Sequence, residues 1–127
     1  MTKNKITVLL AEDTADIREL YTTAFTDGGF NVIAVENGKL ALAELEKHKD
    51  IDIVVTDIEM PVMDGFKLLE EIRKVKKYNK IPIIVASNLD AFNTEKKVKD
   101  LGANKYIVKC NVTPMDVAEM IKELLKK

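Results

Sequence analysis

The stretch IVVTDIEMP, residues 53–61, decides the fold of this chain and locates its chemistry. Its first four residues are apolar or β-branched, which is typical of a short strand that is buried on both faces. Asp57 follows this strand directly, and Pro61 stiffens the turn beyond it. We therefore predict a buried strand that delivers one carboxylate to the edge of a sheet.

Three further apolar runs end in polar or charged residues in the same way. Residues 6–11 precede Glu12 and Asp13, residues 81–86 precede Ser87, and residues 106–108 precede Lys109. Because the carboxyl ends of parallel strands meet at one edge of a sheet, we expect these side chains to form one site. Two like charges about 4 Å apart repel by about 4 kcal/mol at an effective dielectric near 20. The acids therefore favour a divalent cation between them, or protonation of one carboxyl group.

Strand patterns alternate with helix patterns five times along the chain. The predicted strands are residues 6–11, 30–35, 53–57, 83–86 and 106–108. Between them, apolar residues recur every three or four positions, as in amphipathic helices. The predicted apolar helix faces include Ile17, Leu20, Leu40, Leu68 and Val75. Continuous apolar strands separated by helices predict a parallel sheet covered by helices on both faces.

Several helix ends are marked by the residues that favour them. Gly28-Gly29 and Gly102 stop the first and fourth helix patterns, and Asn37 precedes the second. Thr113 is the predicted N-cap of the last helix, with Pro114 at its first position.

Composition narrows the class of protein. A chain of 127 residues that is 46% hydrophobic and 32% charged is expected to form one soluble domain, residues 1–127. The net charge of −1 favours neither nucleic acid nor an anionic membrane as a partner. No apolar run approaches the ~18 residues that span a bilayer, and no signal peptide pattern is present. The single cysteine, Cys110, suits a reducing compartment, so we expect a cytoplasmic protein, free-standing because it begins at Met1.

The residues at these strand ends, together with the segment MPVMDG at 60–65, resemble the receiver domain of two-component response regulators. The matching single positions are Glu12, Asp13, Asp57, Ser87, Tyr106 and Lys109. The resemblance covers residues 5–126. It implies a flavodoxin-like (βα)5 fold, an α/β three-layer sandwich with a parallel five-stranded sheet of order 2-1-3-4-5.

The resemblance also implies a function, a phosphorylation-dependent signalling switch. The chain would accept a phosphoryl group on Asp57 from a sensor histidine kinase or a histidine phosphotransfer protein and later lose it to water. It would catalyse only its own phosphorylation and dephosphorylation, so we do not expect an enzyme in the usual sense. A downstream protein is the expected target. We expect a monomer, with dimerisation upon phosphorylation as the alternative, and no contact with nucleic acid or membrane.

The resemblance implies a Mg²⁺ site, in which Mn²⁺ is the alternative ion. Asp13, Asp57 and the backbone carbonyl of Glu59 would hold the ion, and Glu12 would act mostly through metal-bound water. Oxygen ligands with retained waters are what Mg²⁺ prefers.

The remaining matching residues would respond to the phosphoryl group. Lys109 would pair with one phosphoryl oxygen as a point charge, and Ser87 would donate a hydrogen bond to another. Tyr106 would rotate inward as Ser87 moves. These movements would change the surface of helix 4, strand 5 and helix 5, through which receivers bind partners.

Each of these residues also has a purely structural interpretation. The acids Glu12, Asp13 and Asp57 could cap helices or end strands, and Ser87 could serve a turn. Tyr106 could be half-buried packing, and Lys109 could be a surface lysine.

The sequence departs from the family pattern near the predicted site. Receivers usually have a proline, preceded by a cis bond, where this chain has Cys110. Asn88 stands where a small residue is commoner. Glu59 and Leu89 occupy positions that tune the lifetime of the phosphoryl group, and neither residue predicts that lifetime.

Rival functions on related folds fit the sequence less well. A haloacid-dehalogenase-type phosphatase requires Asp-x-Asp-x-Thr, which DIEMP at residues 57–61 lacks. A flavin carrier requires a Ser/Thr/Gly-rich phosphate loop after strand one, where residues 12–16 are acidic. An interaction module with the receiver fold that signals without phosphorylation stays open.

Overall fold

The computed structural model of the chain describes residues 5–88 and 92–126. Within those ranges five strands and five α-helices alternate. The strands are β1 (Thr7–Ala11), β2 (Asn31–Val35), β3 (Ile53–Thr56), β4 (Ile83–Ser87) and β5 (Lys105–Val108). The helices are α1 (Ala15–Asp27), α2 (Gly38–Lys47), α3 (Gly65–Lys74), α4 (Phe92–Asp100) and α5 (Pro114–Leu124), with 3₁₀ turns at Lys76–Tyr78 and Lys109–Asn111. Among these described helices, none combines the length and apolar character needed to cross a bilayer.

The sheet is parallel throughout and has the order β2-β1-β3-β4-β5. The predicted fold and strand order are therefore confirmed. Ala11 at the end of β1 lies opposite Thr56 at the end of β3, and Thr56 lies opposite Val85 of β4. The strand order reverses between β1 and β3, which is where ligand crevices form in open α/β sheets.

Alternate residues of the strands enter two separate cores, one on each face of the sheet. Leu10 of β1 and Ile84 of β4 pack with Phe25 of α1 in the first core, to which α5 also contributes. Their neighbours Leu9 and Val85 pack in the second core, with side chains from α2, α3 and α4. Burial on both faces explains why the strands read as continuous apolar runs.

Within the described residues, three helices begin with side-chain caps that the sequence supplies. Asn37 accepts a hydrogen bond from the Leu40 N–H at 2.9 Å, and Asp64 accepts one from the Lys67 N–H at 2.9 Å. Thr113 and Asp116 form the reciprocal capping box of α5. The predicted N-cap at Thr113 is confirmed, and caps of this kind contribute about 1 kcal/mol each.

Three residues predicted on apolar helix faces are instead exposed. Leu20 is 61% exposed, Leu40 is 42% exposed and Val75 is 36% exposed. Val75 lies beyond Lys74, the last residue of α3, so the helix no longer directs it to the core. Leu20 lines an open groove with Met115 between α1 and α5, and Leu40 lies in the first turn of α2.

Arg73 of α3 joins three segments through one guanidinium group. Its Nε and one terminal nitrogen donate to the Gly102 carbonyl at 3.1 and 2.7 Å, and the other terminal nitrogen donates to the Tyr78 carbonyl at 3.0 Å. The Asn104 side-chain oxygen accepts from Arg73 at 3.1 Å and from the Ile83 N–H at 2.9 Å. The end of α4 and the start of β4 are thereby tied to α3.

Candidate functional site

Asp57 is the first residue after β3 and is held by hydrogen bonds to both its backbone and its side chain. Its N–H donates to the Ala11 carbonyl at 3.0 Å, so the pairing with β1 continues to this residue. Its Oδ1 accepts a hydrogen bond from the Ile58 N–H at 2.7 Å. The side chain is 11% exposed, which leaves the carboxylate accessible from the carboxyl edge of the sheet.

Gly65 lies directly behind Asp57 and explains the glycine of the MPVMDG segment. A Cβ at this position would lie 2.2 Å from the Asp57 carbonyl oxygen and 2.8 Å from the Ile58 Cα. The Gly65 N–H donates to the Ile58 carbonyl at 2.8 Å. The first turn of α3 can approach the backbone of Asp57 this closely only because residue 65 has no side chain.

Glu12 is buried beside Asp57, although it carries a carboxylate. It is 2% exposed, and its N–H donates to the Val35 carbonyl at 3.0 Å. Its Oε2 accepts from the Thr14 N–H at 3.0 Å, and its carbonyl accepts from the Arg18 guanidinium at 2.8 Å. Hydrogen bonds of this kind offset the cost of burying a charge.

The carboxylates of Glu12, Asp13 and Asp57 converge as the sequence predicts. Each contributes one oxygen atom to a group in which all the atoms lie within 4.8 Å of one another. Asp13 is exposed, so this group opens toward solvent on one side. Three carboxylate oxygens at this spacing fit the ligand preference of a hard divalent cation. The other predicted ligand is the backbone carbonyl of Glu59, two residues beyond Asp57, and it stays a prediction; the Glu59 side chain itself is exposed.

Lys109 pairs with two of these acids. Its Nζ donates to Asp57 Oδ2 at 3.0 Å and to Glu12 Oε1, while only 10% of its side chain is exposed. Burial of the ammonium acts to lower the pKa of Lys109, but the hydrogen bond that Lys109 donates to Glu12 and the charge of Asp57 outweigh burial and raise that pKa above its ordinary value. Lys109 is therefore a charged partner within the site, not a surface lysine.

Ser87 lies on β4, next to β3 in the sheet, and Tyr106 lies on β5, the following strand. Ser87 ends β4 and is fully buried, opposite Val108. Tyr106 is half-buried opposite Val85 and packs against the second core. The structure thus places Ser87 at the carboxyl end of its strand and Tyr106 two residues before the end of β5, and a phosphoryl-binding or switching role for them stays a prediction.

Residues 8–124 match the model of the response regulator receiver domain family. This match spans most of the chain and includes every residue of the cluster. The chain belongs to the response regulator receiver domain family.

Known proteins similar to this receiver domain come from Oryza sativa, Vibrio cholerae and Borrelia burgdorferi. The two-component response regulator ORR8 of Oryza sativa subsp. indica is 35% identical over 115 residues, which cover 91% of this chain and 94% of the relative. The chemotaxis response regulator CheY4 of Vibrio cholerae has a similar structure, with a TM-score of 0.87 and 26% identity over 96% of this chain and 100% of that one. A CheX-CheY-BeF3-Mg+2 complex from Borrelia burgdorferi contains a chain that matches with a TM-score of 0.86 and 31% identity, over 96% and 90% of the two chains.

The loop after β5 of this receiver domain differs from the family pattern without disturbing Lys109. The peptide bonds of the described residues are all trans, including the bond between Lys109 and Cys110. A 3₁₀ turn over Lys109–Asn111 leads to the capped start of α5. Asn88 is exposed after β4. Leu89, one of the positions predicted to tune the phosphoryl lifetime, lies outside the described residues.

One residue near the site of this receiver domain continues the helical apolar spacing that Ile17 begins in α1. Tyr21 is 6% exposed and lines a small cavity with Glu12, Asp57 and Lys109. Its helical spacing indicates burial correctly, because the ring packs in the first core. The only sequence signal for a further role is a hydroxyl on an otherwise apolar face.

Proposed function

We propose that this receiver domain is a phosphorylation-dependent switch of a two-component or phosphorelay system, with Asp57 as its phosphoacceptor. The observation that carries the proposal is the position of the Asp57 carboxylate, oriented by the Ile58 N–H and Lys109 beside two further acids. A carboxylate fixed in this way matches the needs of nucleophilic catalysis, since its attack direction is set before the donor arrives. Membership of the receiver family supports the same role.

The proposed reaction moves a phosphoryl group from a phosphohistidine to Asp57. A carboxylate oxygen of Asp57 forms a bond to phosphorus while the phosphorus–nitrogen bond breaks, and the imidazole leaves with the electron pair. Water later attacks phosphorus and returns the free carboxylate with inorganic phosphate. The chain thus acts on itself and turns over no separate substrate, so we do not class it as an enzyme.

Lys109 supports this transfer by exchanging partners. Before transfer its ammonium pairs with Asp57 Oδ2. After transfer the carboxylate charge is replaced by that of the phosphoryl oxygens, so the same ammonium pairs with a phosphoryl oxygen. The raised pKa of Lys109 keeps it protonated throughout the neutral pH range.

Mg²⁺ fits the carboxylate group described above, and Mn²⁺ accepts similar oxygen ligands. Asp13, Asp57 and the carbonyl of Glu59 are the proposed direct ligands, and Glu12 is proposed to act mostly through metal-bound water. Bound Mg²⁺ supplies positive charge that offsets the charge on the transferring group.

The proposed output is a change of partner binding. Phosphorylation adds about 1.5–2 negative charges and three acceptor oxygens. We propose that Ser87 and Tyr106 respond and alter the face formed by α4, β5 and α5. A sensor histidine kinase or histidine phosphotransfer protein is the proposed donor, and another protein is the proposed target. The single thiol at Cys110 supports a cytoplasmic location.

Intact-mass spectrometry after incubation with acetyl phosphate tests this proposal. The wild-type chain should gain the mass of one phosphoryl group when Mg²⁺ is present and much less when it is chelated. Asp57→Asn should show no adduct, whereas Asp27→Asn, which changes an exposed acid at the end of α1, should behave as the wild type does. A folded wild-type chain without any adduct would contradict the proposal and favour an interaction module that signals without phosphorylation.

A further inference from the structure

Val62 lies in the loop between β3 and α3 and has a backbone conformation that its side chain disfavours. Its φ is 68°, and among the described residues it is the one non-glycine residue with a positive φ. The N–H of Met63 donates to the Pro61 carbonyl at 2.7 Å, which closes a three-residue turn around Val62. Such a turn with a positive φ at its centre is rare and strained, and it persists only where surrounding contacts impose it.

The start of α2 supplies one of these contacts. Val62 is 76% exposed, so packing of its own side chain does little to hold the turn. Gly38, the first residue of α2, donates its N–H to the Met63 carbonyl at 3.0 Å. The first N–H groups of a helix have no acceptor within the helix, so this bond satisfies a donor of α2 and fixes the end of the turn together.

The contact requires glycine at position 38. Gly38 is buried, and a Cβ there would lie 2.8 Å from the Met63 carbonyl oxygen and 2.9 Å from the Met63 Cγ. The Cγ can rotate away, but the carbonyl oxygen belongs to the backbone of the loop. Any side chain at residue 38 would therefore displace the loop or the start of α2.

The loop held in this way carries Glu59, whose backbone carbonyl is a proposed ligand of Mg²⁺. Ile58 and Met60, on either side of it, are buried in the second core. The Gly65 N–H fixes the Ile58 carbonyl at 2.8 Å, so the loop is held from α3 at its beginning and from α2 near its end. We propose that Gly38 is a positioning residue for Mg²⁺, because it holds the loop that presents the Glu59 carbonyl. This inference rests on the proposed function, to which the ion belongs.

Titration of the unphosphorylated protein with Mg²⁺, followed by the shifts of its amide NMR signals, tests the inference. Gly38→Ala should bind Mg²⁺ about tenfold more weakly than the wild type, as is typical when a residue that orients a metal ligand is changed. Mg²⁺ is sensitive to such a displacement because it demands near-ideal octahedral geometry. Gly102→Ala is the matched control, since its φ is +108° and its Cβ would lie 2.8 Å from the Arg73 Nε, away from the site. It should lose stability but keep the wild-type affinity for Mg²⁺.

Amide hydrogen exchange of the wild type tests the same inference without a substitution, and so does not depend on the folding of Gly38→Ala. If the contact favours Mg²⁺ binding, Mg²⁺ must favour the contact by the same factor, so the ion should slow exchange of the Gly38 N–H. The His48 N–H, bonded to the Glu44 carbonyl at 2.9 Å at the other end of α2, should respond much less.

Two results would overturn the positioning role of Gly38 and leave the proposed phosphorylation of Asp57 standing. One is equal Mg²⁺ affinity of Gly38→Ala and the wild type, and the other is exchange of the Gly38 N–H that Mg²⁺ does not slow. A wild-type chain that binds no Mg²⁺ would instead contradict the proposed ion site and the inference together.

Discussion

The charge of the candidate site depends on Lys109, because within the described ranges this residue brings the one cation that pairs with the carboxylates of both Glu12 and Asp57. Removing one member of a buried ion pair leaves the other charge uncompensated. The loss of the Lys109 charge should destabilise the protein mainly through Glu12, because Glu12 is only 2% accessible to solvent and water cannot compensate its charge. Lys109 therefore stabilises the fold as well as serving the proposed chemistry.

We expect Lys109→Met to lower the free energy of unfolding by about 3 kcal/mol at neutral pH without divalent ions. Folding raises the pKa of Lys109. Its contribution is thus complete below the ordinary lysine pKa of about 10.4 and is lost as the pH rises through the higher value of the folded protein. Urea unfolding at pH 7.5 and above pH 11 would measure the difference between wild type and variant, which should shrink at high pH.

Lys96→Met serves as the control for this series, because Lys96 forms an exposed pair with Asp100 on α4. It should leave unfolding at neutral pH nearly unchanged. A difference between wild type and Lys109→Met that stays constant across the whole pH range would contradict the assignment to the ammonium.

At the level of elements, the approach of α3 to the end of β3 fixes the backbone that carries Asp57. Gly65→Ala should force the first turn of α3 away, since its Cβ would lie 2.2 Å from the Asp57 carbonyl oxygen. We expect the free energy of unfolding to fall by about 2–3 kcal/mol and the acetyl phosphate reaction to slow. Thermal or urea unfolding and intact-mass spectrometry would measure the two effects.

Gly29→Ala is the matched control at the other end of the molecule. Its φ of +94° makes alanine strained there, but no atom lies within 4 Å of the added Cβ. It should therefore cost stability without changing the rate of phosphorylation. A similar rate loss in both variants would show that the effect of Gly65→Ala comes from lower stability alone.

Most elements could be predicted from the sequence because each has a strong local signal. Apolar runs placed the five strands, and the acids, serine and lysine at their ends predicted the edge at which the site forms. Thr113 with Pro114 likewise marked the start of α5. These signals depend on neighbouring residues in the chain, so they need no knowledge of tertiary packing.

What escaped prediction depends on packing between distant segments. Val62 has a φ of 68°, which is unusual for a β-branched residue and follows from the tight turn between Asp57 and α3. Leu20 fits a helical apolar pattern but lies outside the contact between α1 and the sheet. The cavity beside Tyr21 arises where α1 passes the ends of three strands, and no local pattern records it.

For the whole molecule, the guanidinium of Arg73 ties α3 to the segment that follows α4. It donates to the carbonyl of Tyr78, five residues further along the chain, and to the carbonyl of Gly102, 29 residues further along. Arg73→Lys should lower the free energy of unfolding by about 2 kcal/mol, because one ammonium cannot reproduce the planar fork that serves three acceptors. Urea unfolding would measure the loss.

Lys74→Ala provides the comparison, since the neighbouring Lys74 forms an exposed pair with Glu71 on the same helix. Surface pairs of this kind contribute little, so unfolding should hardly change. Equal stability of Arg73→Lys and the wild type would show that the guanidinium contacts are dispensable.

The same guanidinium also limits how α4 can respond to events at Asp57. The carbonyl of Gly102, just beyond the last turn of α4, is held by two hydrogen bonds from Arg73. The first turn of α4 follows β4, whose last residue is Ser87. A displacement that starts at Ser87 therefore enters a helix that is anchored at its far end. We expect α4 to rotate about Gly102 and not to slide along its axis. Its first turn, which follows β4, should therefore move farther than its last turn.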